Sequence, residues 1–308
     1  MIHETPGQAP ARDPMTETGS FRLAVDVAAL TDRGHVRDTN EDSYIVFRIG
    51  RYIERVASNI PEADLPSVRE RAGHLMIVAD GMGGHEAGDV ASRTALITLL
   101  QLMLRSPRWA VRLDDASTRE AEIRQLIERG RTYLTAIHQT LRLHASTDPA
   151  LAGMGTTMTG AYVIDKDLFV MNVGDSKAYL LHGGTLKKIT RDHTVAQDYV
   201  DLGVISPEEV STHRMQHVLT RAVGGPDEDV EGDFYHLTVT PGDRLLICSD
   251  GLTDMASEQE IAAILAEHPT SENACRGLIE FALSRGGKDN VTAVVAGFTL
   301  TSGRAQPR

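Results

Sequence analysis

Residues 156–184 read TTMTGAYVIDKDLFVMNVGDSKAYLLHGG. Three short runs, 156–164, 168–173 and 177–181, are rich in Val, Leu, Ala and Tyr, and each is cut off by a turn signal. None is long enough to be a typical helix, and Gly183-Gly184 is a hairpin pair. Strands this close in sequence have no room for a helical crossover, so they are expected to pair antiparallel. Similar runs lie at 23–30, 43–49, 74–79, 234–239, 244–248 and 291–298.

Helical blocks separate the runs. Residues 84–104 form one; its second half is apolar nearly all round, which predicts burial. Residues 121–143 form another, with Ile123, Ile127, Gly130, Leu134, Ile137 and Leu141 at alternating steps of four and three. Ser257 followed by Glu260 has the capping-box spacing of a third, and 272–285 is a fourth. The order is not a βαβ alternation. It predicts an α+β chain, a four-layer α-β-β-α sandwich with two antiparallel sheets and outer helices. Residues 1–20 and 301–308 read as disordered tails around one domain, 21–300. Residues 48–72 and 106–119 read as surface insertions.

Composition narrows the function. The chain has 308 residues, 41% of them apolar, enough for a sizeable core. Lys and Arg number 31 against 43 Asp and Glu, a net charge of −12 that argues against nucleic-acid binding. Two cysteines are too few for a disulfide framework. The N-terminus lacks an apolar signal region, and the most apolar run, 95–104, is too short to span a bilayer. A cytoplasmic protein with no membrane contact is expected.

The chemistry gathers at aspartates. Asp80 ends an apolar run and opens the turn Gly81-Met82-Gly83-Gly84. Asp250-Gly251 ends the run 244–248, Asp175 follows Gly174, and Asp289-Asn290 precedes the last run. One Asp-Gly pair is adequately explained as a turn. Four aspartates brought together would repel one another unless cations or raised pKa values relieved them. Hard oxygen donors favour Mg2+ or Mn2+ over Zn2+. The segment Gly34-His35-Val36-Arg37-Asp38-Thr39-Asn40-Glu41-Asp42 alone is a polar turn, but beside a metal site the Arg37 guanidinium could grip a phosphoryl group.

The ordered set Arg37…Asn40-Glu41-Asp42, Asp80-Gly81-Met82-Gly83-Gly84, Gly155-Thr156-Thr157, Gly174-Asp175-Ser176, Ser249-Asp250-Gly251 and Asp289-Asn290 resembles the metal-dependent protein phosphatases, the type 2C serine/threonine family, in its bacterial branch. The resemblance spans residues 21–299 and implies the same sandwich with a binuclear Mn2+ or Mg2+ centre between the sheets. It implies Asp80 as the carboxylate shared by both ions, the Gly81 carbonyl on one, and Asp250 and Asp289 on the other. Asp175 would help hold a third, looser ion, Glu41 would orient water with Asp42 beside it, and Arg37 would hold phosphate. The implied reaction is hydrolysis of phosphoserine and phosphothreonine in proteins by a metal-activated water. The implied partners are phosphorylated proteins and an opposing serine/threonine kinase, with the phosphatase itself a monomer.

One departure stands out: eukaryotic members carry His directly after Asp-Gly, where this chain has Met82. The segment 191–225 corresponds to the family's flap; it either governs substrate choice or is a helix-turn-helix that merely covers the sheet edge. The competing expectation is a catalytically weak relative that serves as a regulatory binding module, marked by lost ligands; none of the aspartates is missing. A structural calcium domain is disfavoured because the D-x-D-x-D-G spacing is absent. Tyrosine-phosphatase chemistry is disfavoured because Asp254 and Phe281 stand where a Cys-x5-Arg motif from Cys248 or Cys275 needs arginine.

Overall fold

A computed structural model of the chain describes residues 21–50, 72–83, 87–106, 113 and 115–302. One sheet contains β1 (Phe21–Asp32), β7 (Lys177–His182), β8 (Thr185–Lys188), β10 (Arg244–Cys248) and β11 (Val291–Ser302), in the order β1-β11-β10-β7-β8. The other contains β2 (Asp42–Gly50), β3 (Ala72–Met82), β5 (Met158–Ile164), β6 (Asp167–Val173) and β9 (Asp233–Thr238), in the order β2-β3-β5-β6-β9, with β4 (Gly155–Thr156) paired to the end of β3. Every recorded pairing is antiparallel.

The strands read as continuous apolar runs because both faces of each sheet are covered. On β10, Leu245 and Ile247 point between the sheets, while Leu246 and Cys248 point outward. On β3, Met76 and Val78 face the other sheet, and Ile77 and Ala79 face the helices. The inner layer is closed by Val163, Val170, Leu180, Val294 and Phe298. Helices α1 (Ala87–Arg105) and α2 (Arg119–Thr147) cover one outer face. Helices α4 (Asp250–Thr253), α5 (Glu258–Glu267) and α6 (Ser271–Ser284) cover the other. Helix α3 (Val195–Asp201) lies in the flap segment. Ser257 caps α5, accepting a hydrogen bond from the Glu260 amide while the Glu260 carboxylate receives one from the Ser257 amide.

Four expectations are corrected. Helix α1 is not enclosed on all sides: Ala91, Ala95, Leu99 and Met103 pack inward at steps of four, but Ile97 is 55% and Leu104 78% exposed. Thr301 and Ser302 continue β11 opposite Arg22 and Phe21, so the terminal strand outlasts the expected domain end. Likewise residues 48–50 and 72 belong to β2 and β3; the rest of that insertion, the expected N-terminal tail and most of 106–114 lie outside the described residues. The fourth correction decides the site. β6 and β7, three residues apart, do not pair but stand in opposite sheets, and so do β1 and β2. Their links cross the gap between the sheets at one end of the sandwich. The true hairpin is β7–β8, where Gly183 (φ 56°) and Gly184 (φ 81°) supply the two positive-φ residues of a tight turn.

Candidate metal centre

The crossing links gather the acids. Asp80 ends β3 opposite Asp42 on β2, Asp175 sits in the β6–β7 crossing, Asp250 follows β10, and Asp289 precedes β11. Arg37, Glu41, Asp80, Gly81, Asp175, Asp250 and Asp289 line one cleft of about 620 Å3, joined by Thr157, His217 and Asp254. Thus every expected site residue but one opens on a single cavity. The exception is Asp42, which lies buried beneath the floor: its Oδ2 accepts hydrogen bonds of 2.7 Å from both Ser249 and Thr292, and its Oδ1 is buried without a partner among the described residues. Asp42 therefore supports the site from below.

The motif residues hold the candidate ligands largely through their backbones. The Asp80 carbonyl accepts hydrogen bonds from the Thr157 amide (2.8 Å) and the Thr156 hydroxyl (2.9 Å), and its amide donates to Thr157 Oγ1 (3.0 Å). Asn290 donates through Nδ2 to the carbonyls of Arg33 and Thr39 and accepts from the Glu41 amide at 2.8 Å, pinning the loop that carries Arg37 and Glu41. The Gly81 amide donates to the Glu41 carbonyl, and a side chain on Gly81 would collide with the carbonyl oxygen of Gly88. Only glycine allows the strand end and α1 to meet there. His193, buried in the flap base, grips the peptide before Asp175: its Nδ1 accepts from the Gly174 amide (3.1 Å) and its amide donates to the Gly174 carbonyl (2.9 Å). This fixes the proton on Nε2, which faces Asp233 at 3.2 Å.

Electrostatically the cleft is poised for cations. Burial, reinforced by Asp42, Asp250, Asp175 and Asp289, pushes Asp80 well above the usual carboxylate range. Burial together with Asp250 pushes Asp175 up to about 7. Burial likewise lifts Asp42 to about 7 against its two hydroxyl donors. Burial also opposes ionisation of Asp250, but the hydrogen bond from His217 and the charges of Lys177 and His217 outweigh it and hold Asp250 low. His217, bonded to Asp250 and near Asp254, rises to about 9. Arg37 Nη2 donates to Asp289 Oδ2 at 2.6 Å and half of its side chain stays exposed at the mouth. Carboxylates this close, with Asp80 and Asp175 pushed toward their protonated forms, make an oxygen-rich donor set that suits Mg2+ or Mn2+. The upward push on Asp80, from burial first and from four neighbouring aspartates next, reflects how many acids are gathered there.

Sequence reasoning missed His217 and Asp254. Asp254 had a local signal, since it lies four residues after Asp250 on the same helical face. His217 had none; it reaches Asp250 from the flap, 33 residues earlier in the chain. Cys248 is buried and its thiol is pushed up to about 12, in keeping with an inert apolar role.

The chain is similar to known protein phosphatases. A profile of the family described as Protein phosphatase 2C matches residues 54–278. The serine/threonine phosphatase stp of Listeria monocytogenes is 34% identical over 273 residues, covering 88% of this chain and 95% of its own length. The serine/threonine protein phosphatase PstP of Mycobacterium tuberculosis is 35% identical over 274 residues, and the matched part spans 45% of that protein. Among solved structures, the catalytic domain of PstP in complex with two manganese ions is similar at a TM-score of 0.68 and 33% identity, covering 90% of this chain and 99% of that one. Stp1 from Staphylococcus aureus is similar at a TM-score of 0.71 and 30% identity, covering 93% of this chain and 99% of the other.

Proposed function

The chain belongs to the protein phosphatase 2C family, and we propose that it hydrolyses phosphoserine and phosphothreonine in proteins with Mn2+ or Mg2+, opposing a serine/threonine kinase. The observation that carries this reading is the convergence of Asp80, Asp175, Asp250 and Asp289 with Arg37 in one cleft. The relatives' names and the manganese-bound PstP domain support it.

Asp80 and the Gly81 carbonyl would hold one ion, Asp80 with Asp250 and Asp289 the second, and Asp175 with Asp250 a third, weaker one. Bound there, divalent ions supply an activated water and offset charge on the phosphoryl oxygens. The protein's own groups do the rest. Arg37, at the mouth, is held by Asp289, and with that carboxylate engaged by a cation its planar fork would be free to grip a phosphate. Glu41, lifted above its usual range mainly by burial, stands beside the cleft where it can hold or pass a proton. Met82 lines the cleft where eukaryotic relatives carry histidine, and its thioether cannot protonate a leaving group. No nucleophilic side chain is needed, consistent with the buried thiol of Cys248. The alternative of a silent binding module is disfavoured because the ligand set is complete and assembled. Among the described residues, no helix is long and apolar enough to cross a membrane.

A phosphothreonine peptide tests the reading. Chelation should abolish hydrolysis by the purified chain, and Mn2+ or Mg2+ should restore it. Full turnover after exhaustive chelation would overturn the metal mechanism.

A further inference from the structure

We propose that His217 is a direct protein ligand of the third ion, making that position a mixed nitrogen–oxygen site that selects Mn2+ over Mg2+ and ties the flap to the metal centre. The inference rests on the reading of the cleft as a metal site. One ligand atom each from Asp175, His217 and Asp250 lie within 4.8 Å of one another. Two donors bonded to one ion at roughly 2.1 Å lie at most about 4.2 Å apart, so closure needs only small movements.

Asp175 supplies the independent sign of a ligand. It is 6% exposed and lines the cleft, yet its carboxylate accepts no hydrogen bond among the described residues. The nearby Lys177 donates to the Asp175 backbone carbonyl instead, and its ion pair is with Asp192 at 3.7 Å. Lys177 and His217 bring positive charge near the carboxylate without bonding to it, and a buried carboxylate lacking a hydrogen-bond partner is costly unless something else arrives.

The imidazole is held where it can complete the set. The Val195 amide donates to the Val218 carbonyl at 2.9 Å and Thr194 bridges Leu219, so both residues after His217 are tied to the flap base. His217 Nδ1 lies 3.3 Å from Asp250 Oδ2, on the cleft side, while Nε2 faces Asp254 at 3.3 Å. With Nδ1 on the ion, Nε2 keeps its proton and donates to Asp254, the outer carboxylate partner that ligating histidines commonly have. Imidazole suits transition ions, whereas Mg2+ keeps oxygen and water ligands. A third site with this nitrogen should therefore discriminate between ions that an all-oxygen site would not.

The competing role is an imidazolium clamp that neutralises Asp250 and Asp254 without touching metal. Pulsed electron paramagnetic resonance on the Mn2+-loaded full chain separates the two. A bound imidazole gives a 14N modulation; in wild type it should be present, and in His217→Asn and His217→Gln absent. In the same variants calorimetry should show the two tighter Mn2+ sites retained and the weakest weakened by about tenfold or more, with Mg2+ binding little changed. Persistence of the modulation in both variants, or its absence from wild type with three Mn2+ bound, would overturn the proposal in favour of the clamp or another ligand. Failure of wild type to bind any Mn2+ would instead sink the metal reading itself.

Discussion

Strand β6 carries a buried aspartate at each end, and the two live in opposite circumstances. Asp167, which opens the strand, is 1% exposed. It accepts from Arg119 Nη2 at 2.5 Å and meets His236 Nε2 at 2.8 Å, while the His236 ring stacks on Phe169. Asp175, just past the other end, faces Asp250 and Asp80 and takes no hydrogen bond on its carboxylate among the described residues. Lys177 and His217 bring positive charge near Asp175, but neither bonds to its carboxylate as Arg119 of α2 bonds to Asp167. A buried carboxylate with cations in place is scaffold, joining helix to sheet. A buried carboxylate crowded by other acids and without a hydrogen-bond partner is held in readiness for a ligand, at a cost in stability.

The largest expected effect lies at the unpaired end. Asp250→Asn or Asp289→Asn should lower turnover by about a thousandfold, some 4 kcal/mol, because the charge that holds the ions is lost. Circular dichroism should show both variants folded, since Asn serves a turn as well as Asp. Wild-type turnover and Mn2+ affinity in both would return these residues to the turn reading and erase the contrast. Any gain in metal-free stability is not expected at Asp250, because Asn there also removes the partner of His217.

At the paired end the ranking of effects reverses. Asp167→Asn strands Arg119 beside a neutral amide and should cost about 2–3 kcal/mol of stability, discounted because Arg119 is partly exposed. Denaturant melts should register that loss while Mn2+ binding stays as in wild type. Equal stability with altered metal affinity would show that the two ends of β6 are coupled rather than distinct.

The smallest effect concerns pH without metal. Folded Asp175 keeps its proton up to about 7, whereas the unfolded residue releases it near 3.8. The folded state therefore binds more protons across that window. The stability this contributes is present below about pH 4 and lost as pH rises through about 7. In chelator, Asp175→Asn should match wild type near pH 3.5 and exceed it near pH 7.5 by an amount on the order of 1 kcal/mol, since the open cleft lets water reduce the strain. A variant less stable than wild type at pH 7.5 would mean that Asp175 is paired after all.

Much of this was legible before any coordinates. Runs such as 244–248 announce buried strands because both sheet faces are covered, and Ser257 with Glu260 announces a helix start because the cap is local. The exposed side of α1 was misread, since Ile97 and Leu104 remain apolar while facing solvent. The edge strand β8 escaped notice because its Lys187 and Lys188 break the apolar pattern, as exposed sheet edges often do.

By itself the sequence determined the strand and helix repertoire, the acidic character and, through the ordered motifs, the family. These depend on local periodicity, turn chemistry and residue type, which act over a few positions. Tertiary structure alone decided that β6 and β7 part into different sheets, that Asp42 lies beneath the cleft, and that His217 meets Asp250. Each of those depends on where two sheets close over a shared apolar layer, a packing outcome summed over contacts distant in sequence, and no short stretch of chain encodes it.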